Sequence, residues 1–594
     1  MTVLLPIEQK FLDKLTEIVK ANFSNGSFGV SYLSEEIGLS HSSLHRKLKA
    51  ITNQSISQFV REIKLKHALE LLQLQTDTVA EIAYRVGFGS TTYFSKCFHD
   101  YYGYPPGEVR KRHVSESHSG EITHTIEKPK SRINSIVVLP FDNYTGDESQ
   151  SFLVYGLHDA LINELGQLGA IRVISKTSAL KYSNSERTIK EIATELGVDA
   201  IIEASVISVQ EKIRIQLKLF SAFPEEQQLW AQTFEVYMSD ILKLYNQVIK
   251  NVANEIQLSL SPEQQTQLEE ARKVNPECYK AYLRGKYNLY QLTPDGIKKG
   301  MEYLHEAIRI DPAEPFAHAV LALGYFDIAH GPFGPNDAYI KAEAAANQAM
   351  LLDDTIAEIH LAQAELCMYA NWKFSKAEMH FRRALELNPN LSLAHYHYSW
   401  ALFLFGRNEE AIAEHRLAQQ CDPFNPLITA FTGALYSYLD MHEDAIREAY
   451  KSFDIQMDCP FGYFVLGETY LAMGRNEEAI AAHEKLAEFA PVWNWVLGYT
   501  YALTGHHDKT KKILSEIENS PMSSWFALGR AVLYGALGKN DEAFKWIAYE
   551  PHHVWIPWIA VMPMWKPLYN DPRYGKFVKE LNLPPGLWVT AQHA

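Results

Sequence analysis

A period of 34 residues in the second half of the chain constrains the fold more than any other feature of the sequence. Small residues recur at this period, and a proline follows the first two of them at a constant distance. Small side chains let two helices cross closely, and a proline ends the second helix of a pair. The period therefore predicts a stack of helix pairs. The residues that carry the pattern are Ala377, Ala411, Ala445, Ala479, Ala384, Ala418, Pro389 and Pro423.

This pattern resembles the tetratricopeptide repeat. Less regular copies extend it in both directions, so we expect about eight repeats over residues 261–594, closed by a C-terminal cap. The resemblance implies an α-solenoid whose first helices line a concave surface that holds a peptide or a partner's segment. Most aromatic residues of such repeats fill the core instead. The candidate partner-binding residues are His395, His397, Tyr398, Trp493 and Trp495.

The segment from Thr78 to Arg112 predicts two short helices joined by a turn. The first helix has one apolar face, formed by Val79, Ile82, Ala83 and Val86, and Gly87 provides the turn. Ser90 can cap the second helix, in which Phe94 and Phe98 pack inward. Its outward residues are polar or cationic, as a helix in the major groove requires: Thr91, Thr92, Ser95 and Lys96.

This segment resembles the second helix-turn-helix of the AraC family, and the match extends to the basic end at Arg110–Arg112. Residues 32–73 resemble the first helix-turn-helix and the helix that joins the two. The resemblance implies an all-α double helix-turn-helix domain at residues 1–113 that binds double-stranded DNA, with Ser42, His45 and Arg46 as its first set of contacts. The family's usual glycine near Asn53 is missing. The alternative reading of the polar residues is a solvated helix face.

The charge of the chain is divided unequally between this region and the rest. Residues 1–113 contain 14 Lys and Arg against 11 Asp and Glu, a net charge of +3. The remaining residues contain 42 Lys and Arg against 60 Asp and Glu, a net charge of −18, and the whole chain has a net charge of −15. Only the N-terminal region is therefore suited to a polyanion, and its small surplus means that specific contacts must dominate.

Between these regions the composition predicts a linker at 114–133 and a small α/β domain with a mixed sheet at 134–260. Runs of β-branched residues predict strands at 135–141, 171–175, 198–209, 212–220 and 229–236, and helical patterns lie at 153–168, 186–197 and 240–260. Strings such as LPFDN and IATELGVDAIIEASV resemble TolB-like domains, which implies a sensing or docking module. Asp142, Asn143 and Asp159 suggest a metal or phosphate site, but turn chemistry is the better interpretation.

Several classes of protein do not fit the sequence. No apolar run is long enough to span a membrane and the N-terminus lacks a signal pattern, so we expect a cytoplasmic protein. Five widely spaced cysteines without a C-x-x-C pair indicate neither a disulfide framework nor a zinc site. Catalytic motifs such as a P-loop, H-E-x-x-H or G-x-S-x-G are missing, so we expect no enzymatic activity and no cofactor.

The sequence as a whole predicts a multidomain, mostly α chain that regulates transcription by binding DNA. The TolB-like and repeat regions are expected to sense a peptide, protein or small-molecule effector, and a homodimer is one arrangement by which they could act. The alternative is an interaction scaffold, in which the repeats bind a protein and the N-terminal domain has lost its affinity for DNA.

Overall fold

The computed structural model forms two compact units, Met1–Lys130 and Ser131–Ala594. It describes residues 6–21, 30–37, 44, 47–49, 56–73, 79–86, 94, 98, 106, 133–145, 150–209, 212–291, 293–330, 337–520, 524–549, 553 and 555–583. The fold class is as predicted from the sequence: mostly helical, with one small mixed sheet and a long array of helix pairs. Among the described residues, no helix combines the length and the apolarity needed to cross a membrane.

The N-terminal unit is built around one helix that serves two cores. Its described helices are α1 (Pro6–Ala21), α2 (Val30–Ile37), α3 (Ile56–Gln73) and α4 (Val79–Arg85). The first half of α3 contributes Phe59 and Ile63 to a core with α1 and α2. Its second half contributes Leu65, Ala68 and Leu72 to a core with α4. Two small helical cores joined by one helix are what the predicted double helix-turn-helix requires.

The apolar faces predicted for this unit are confirmed. Ile82, Ala83 and Val86 of the first predicted helix are buried, and Phe94 and Phe98 are buried beside them with ring centroids 5.6 Å apart. In the first core, Leu33, Leu44 and Leu48 of the segment that resembles the first helix-turn-helix are buried. Gly87 and Ser90 lie outside the described residues.

The second unit begins with the predicted α/β region. Its helices and strands, in chain order, are β1 (Ser135–Val138), β2 (Asp142–Asn143), α5 (Ser151–Gly166), β3 (Arg172–Val173), α6 (Lys176–Leu180), α7 (Ile189–Leu196), β4 (Ala200–Val209), β5 (Lys212–Ser221), β6 (Gln227–Tyr237), α8 (Ile241–Glu255) and α9 (Pro262–Gln267). The five predicted strands and three predicted helices are present. β2 and the short α6 and α9 were not predicted, because they are too short to show periodicity.

The sheet has the strand order β3-β1-β4-β5-β6, with β2 also paired to β4. β1 runs parallel to β3 and β4, whereas β4, β5 and β6 form antiparallel pairs. β5 shows the alternation of a strand with one covered face, because Ile213, Ile215 and Leu217 are buried between exposed neighbours. Helices α5 and α8 cover this face, and α6 and α7 cover part of the other.

The described residues of the repeat array form eight helix pairs, in agreement with the number of about eight expected from the sequence. The predicted alanines at the 34-residue period are buried in the second helices. The helices are α10 (Pro276–Leu289), α11 (Pro294–Ile310), α12 (Pro315–His330), α13 (Ala338–Leu352), α14 (Ala357–Glu365), α15 (Phe374–Leu387), α16 (Ser392–Leu404), α17 (Asn408–Cys421), α18 (Pro426–Tyr438), α19 (His442–Ile455), α20 (Pro460–Ala472), α21 (Asn476–Phe489), α22 (Asn494–Leu503), α23 (His507–Glu518), α24 (Ser524–Ala536) and α25 (Asn540–Tyr549).

The turn inside each regular pair repeats with the same period. Gly406, Asp440 and Gly474 have φ values of 77°, 58° and 71°, in the left-handed region that favours glycine. The small residues at the crossing of a pair have an equally clear reason: a Cβ at Gly433 would lie 2.9 Å from the carbonyl oxygen of Ala445. These turn residues are a repeat signal that the sequence interpretation did not use.

After the last pair the chain forms a segment without regular pairing. Two 3₁₀ turns, Pro557–Ala560 and Pro563–Leu568, lead into α26 (Pro572–Glu580). Asp571 caps α26 through the backbone N–H of Arg573, and the Arg573 guanidinium pairs with Asp541 at the start of α25. The cap expected at the C-terminal end of the array is therefore tied to the last repeat.

Candidate functional site

The residues expected to contact DNA lie outside the described residues: Ser42, His45, Arg46, Thr91, Thr92, Ser95 and Lys96. Their roles remain predictions. The structure shows the apolar residues that the same two motifs require, since Leu44 and Leu48 are buried in one core and Phe94 and Phe98 in the other. The apolar residues on the inward side of both predicted motifs are therefore buried, as the motifs require.

The five candidate partner-binding residues already have contacts within the array. His395 Nδ1 lies 2.5 Å from Glu414 Oε2, and its Nε2 lies 3.0 Å from the carbonyl oxygen of Pro389. The Tyr398 hydroxyl donates to Glu378 Oε1 at 3.0 Å. The structure therefore places His395 and Tyr398, which are both buried, in helix-to-helix contacts rather than on an open surface.

The other three candidates differ in exposure. Trp495 is buried at 1% exposure. His397 is partly exposed, with Nε2 3.2 Å from Glu365 Oε1. Trp493 is partly buried and stands edge-on to Trp525, with a distance of 4.8 Å between ring centroids.

Residues 555–568, here called the C-terminal segment, pack against the array on the side formed by the first helix of each pair. Trp558 lies with its ring centroid 5.5 Å from Trp400 on α16. Trp555 lies 5.9 Å from Trp493 by the same measure, and the Tyr499 hydroxyl donates to the carbonyl oxygen of Pro563 at 3.2 Å. The chain itself thus covers a surface that the sequence assigned to a partner. The unusual richness of this segment in tryptophan was the signal that could have shown this.

A buried ionic cluster joins the α/β region to the first repeat. The Asp159 carboxylate on α5 contacts Lys176 Nζ on α6 at 2.9 Å and also contacts Lys286 Nζ on α10. All three side chains are buried. The rings of Tyr155 and Tyr290 lie 4.2 and 3.3 Å from Lys176 Nζ, which adds cation–π attraction.

The electrostatics of this cluster follow from burial and proximity. Burial alone would raise the pKa of Asp159, but the ammonium groups of Lys176 and Lys286 outweigh it and hold that pKa well below its usual range. Burial lowers the pKa of Lys176 to about 8, with Asp159 opposing the shift. Burial would also lower the pKa of Lys286, but Asp159 reverses this and raises it.

The turn interpretation holds for one of the three Asx residues considered above and fails for another. Asn143 accepts the backbone N–H of Thr145 at 3.0 Å, as turn chemistry predicts. Asp159 lies within α5 and forms ion pairs, so the turn interpretation was wrong there. In the described part of the chain, no three His, Cys, Asp or Glu side chains are arranged to hold a metal ion.

A second polar junction connects the α/β region to the middle of the array. Asn390, in the loop after α15, donates to the carbonyl oxygens of Gly166 and Ile171 at 2.9 and 3.0 Å and accepts the Val173 N–H at 2.8 Å. Asp422, after α17, accepts the Ser178 hydroxyl at 2.6 Å. The sequence interpretation used the prolines of these loops, Pro389 and Pro423, only as ends of helices and missed the role of the loops in docking.

Comparisons with known proteins agree with the two helical regions. A helix-turn-helix domain model matches residues 33–112. Tetratricopeptide repeat models match residues 369–426 and 462–492.

Three relatives cover different parts of the chain. The protein named "Putative adenylate cyclase 3" of Rhizobium meliloti is 29% identical over 189 residues, 32% of each chain. Histidine kinase P4 of Formosa agariphila is 38% identical over 110 residues, 18% of this chain and 8% of its own. Transcriptional regulator HilA of Salmonella typhimurium is 22% identical over 421 residues, 70% of this chain and 68% of its own. The chain thus spans about a third of the cyclase relative and under a tenth of the kinase.

The matched helix-turn-helix region coincides with the two helical cores, and the matched repeats coincide with regular helix pairs. The remaining resemblance, to TolB-like domains, rests on the residues alone. The chain therefore carries a helix-turn-helix domain of the AraC type followed by tetratricopeptide repeats.

Proposed function

We propose that this chain is a sequence-specific, DNA-binding transcription regulator of the bacterial cytoplasm. The observation that carries the proposal is the helix-turn-helix match at residues 33–112 over two cores that share helix α3. A shared helix holds two reading helices in one domain, so both can enter successive major-groove segments of one duplex. The bound site would be asymmetric and about two helical turns long.

The proposal gives the reading helices separate residues with testable roles. Arg46 would read or position the first half of the site, and Lys96 the second. A good bidentate contact of an arginine with guanine contributes about 1–3 kcal/mol of discrimination. Arg46→Ala should therefore lower affinity for the selected site roughly 5-fold to 150-fold, with less effect on random DNA.

The test is a binding titration of the full chain with a selected site and with random DNA at fixed salt. Lys14→Ala is the matched control, because Lys14 is an exposed cation on α1, outside both predicted helix-turn-helix motifs. Lys14→Ala should bind both DNAs nearly as the wild type does. Equal affinity of the wild type, Arg46→Ala and Lys96→Ala for both DNAs would refute the proposal and favour the interaction scaffold.

We further propose that residues 131–594 act as one effector-binding unit and do not catalyse a reaction. The buried junctions at Asp159 and Asn390 support this, because they connect the α/β region to the first and middle repeats. An effector that favours one arrangement of this unit would alter the pairing of two copies on DNA. The partner surface would lie outside the face that the C-terminal segment covers.

Deletion of residues 131–594 tests this role. We expect the remaining fragment to bind the selected site as a monomer and with lower affinity than the full chain, measured by light scattering and DNA titration. If oligomeric state and DNA affinity both stayed unchanged after the deletion, control through pairing would be wrong.

A further inference from the structure

The two edge strands of the sheet differ in whether other parts of the chain cover them. At one edge, the short β3 is covered by the repeat array. Asn390 accepts the Val173 N–H and donates to the Ile171 carbonyl oxygen, and the Ser175 N–H donates to the carbonyl oxygen of Cys421 at 2.8 Å. These groups satisfy the outward backbone of the edge strand, which is how proteins prevent an edge from pairing with another chain.

The opposite edge, β6, has no such cover in the part of the chain that the structure describes. β6 pairs with β5 alone and is 11 residues long, Gln227–Tyr237. The middle of the strand, Ala231, Gln232 and Thr233, is exposed. β6 has no proline and no lysine, and Glu235 is its one charged residue. The one irregularity in its pairing with β5 is a shift of register that leaves Leu229 unpaired, towards the N-terminal end of the strand and outside the exposed middle.

We propose that β6 is the surface on which a second copy of this chain docks, strand against strand and antiparallel, to form a homodimer with one continuous sheet. The strand's midpoint, Gln232, lies on the two-fold axis and faces Gln232 of the second copy. Ala231 then faces Thr233 of the second copy, and Trp230 faces its Phe234. A C2 interface of this kind uses the same patch twice.

This register is favourable for both charge and packing. Glu235 faces Leu229 of the second copy, so pairing places no like charges opposite one another although the whole chain has a net charge of −15. Trp230 and Phe234 already have ring centroids 6.2 Å apart within one copy. The dimer adds two aromatic cross-strand pairs to that cluster, which is the kind of pair that stabilises antiparallel strands.

The inference deepens the proposed pairing of two copies but rests on the sheet alone. A dimer can be measured without DNA, so failure of DNA binding and failure of this interface are distinguishable. Because Ala231 and Thr233 are exposed, they can be substituted without disturbing the core.

The first test uses a charge reversal across the proposed axis. Ala231→Glu with Thr233→Glu places glutamate opposite glutamate in the dimer, whereas Ala231→Glu with Thr233→Lys places opposite charges together. Within one copy, residue 231 lies beside Lys218 of β5, so glutamate there is compatible with the monomer. In analytical ultracentrifugation of the full chain, we expect the Glu/Glu variant to raise the dimer dissociation constant at least tenfold. The Glu/Lys variant should remain within about threefold of the wild type.

The second test is a disulfide cross-link at the proposed two-fold axis. Residues directly opposite in an antiparallel pair have Cβ atoms about 4.5–5.5 Å apart, close enough for a disulfide after small adjustment. Gln232→Cys should form a covalent dimer on mild oxidation. Glu235→Cys is the control, because in this register residue 235 lies far from residue 235 of the second copy. Neither Glu235→Cys nor the wild type should form a covalent dimer. Circular dichroism and melting temperature confirm that each variant is folded.

A wild-type chain that stays monomeric at high micromolar concentration would overturn the proposal. So would a dimer whose dissociation constant is the same in both double variants, or one in which Gln232→Cys and Glu235→Cys cross-link equally. The register-dependent result, with the Glu/Lys variant dimeric and the Glu/Glu variant monomeric, supports it.

Discussion

The two units of this chain organise their apolar residues in opposite ways. In Met1–Lys130 the described residues form two small cores, each with eight buried residues, that share the helix α3. In Ser131–Ala594 the largest core runs from the sheet through the repeats to the C-terminal helix, with two smaller clusters beside it. The first arrangement lets each core form nearly by itself. The second makes the α/β region, the repeats and the C-terminal segment depend on one another, so they should unfold together.

The largest expected effect comes from removing the acid of the buried ionic cluster. Asp159→Ala leaves Lys176 and Lys286 buried without their common counter-charge, and the loss of one partner from a buried pair costs about 3–5 kcal/mol. We expect the whole of residues 131–594 to lose stability by that amount, measured by denaturant unfolding of the full chain.

The control for this prediction is an ion pair at the surface. Lys341 and Asp337 lie 2.8 Å apart but are about half exposed, and such pairs contribute about 0–1 kcal/mol. Lys341→Met should therefore change the free energy of unfolding little. If Asp159→Ala were equally mild, the cluster would not hold the α/β region to the repeats.

A second substitution tests whether one core really spans both regions. Ala445 is fully buried where α18 and α19 cross, so Ala445→Trp forces a large side chain into filled space and should cost about 3 kcal/mol or more. Because the core is continuous, we expect the α/β region to unfold with the array while the N-terminal unit stays folded and binds DNA. Ala313→Trp, at an exposed turn, is the matched control.

Calorimetry and hydrogen exchange separate the possible outcomes. Loss of protection in β4 and β5 together with the repeats would confirm one cooperative body. Retention of a separate α/β transition would instead support independent modules. Loss of DNA binding while the variant stays soluble would show that both units form a single structure.

The repeats and the strands were predictable because they are periodic, while the contacts between regions were not. Ala445 and the other alanines recur every 34 residues, and β5 alternates between buried and exposed positions, so each signal is local. By contrast, Asp159 and Lys286 are 127 residues apart, and neither position is unusual within its own helix. Only the folded chain brings them together, and the turn interpretation of Asp159 failed for this reason.

The candidate sites also differ in whether local sequence spacing could predict them. The inward residues Phe94 and Phe98 were predictable from helical spacing, and their burial is confirmed. The repeat spacing alone did not predict that the expected partner surface is covered, because the spacing does not show that the C-terminal segment returns to the repeat helices. That return depends on tertiary packing such as the contact between Trp558 and Trp400.

A smaller effect is expected at the second junction. Asn390→Ala removes three hydrogen bonds and leaves the Val173 N–H and the Gly166 carbonyl oxygen without a partner there. Each unsatisfied buried group costs about 1–3 kcal/mol, but water can reach partly exposed ones, so we expect a total loss of about 2 kcal/mol. Asn347→Ala is a matched control, because that side chain accepts an exposed hydrogen bond from Gln363. A loss no greater than the control's would mean that the loop after α15 merely lies beside the sheet.

The smallest expected effect is a change in the pH dependence of stability that is specific to the repeats. His483 lies buried between α21 and the neighbouring helices, with Nδ1 2.6 Å from Thr500 Oγ1 and Nε2 3.3 Å from the carbonyl oxygen of Phe464. Burial lowers the pKa of His483 to about 4 and that of His415 to about 3. Unfolding restores a pKa near 6.5, so the unfolded chain binds more protons between about pH 4 and pH 6.5.

Stability from these histidines is consequently present above pH 6.5 and falls as the pH decreases toward 4. Glu468 on α20 acts in the opposite direction, because burial raises its pKa to about 7 and acidification favours its folded form. Comparing His483→Gln with the wild type cancels that shared contribution. Between about pH 6 and pH 5 the wild type should lose about 1 kcal/mol more than His483→Gln, measured by urea unfolding. Parallel losses in both proteins would mean that His483 is protonated in the folded array, and burial between the repeat helices would not govern its charge.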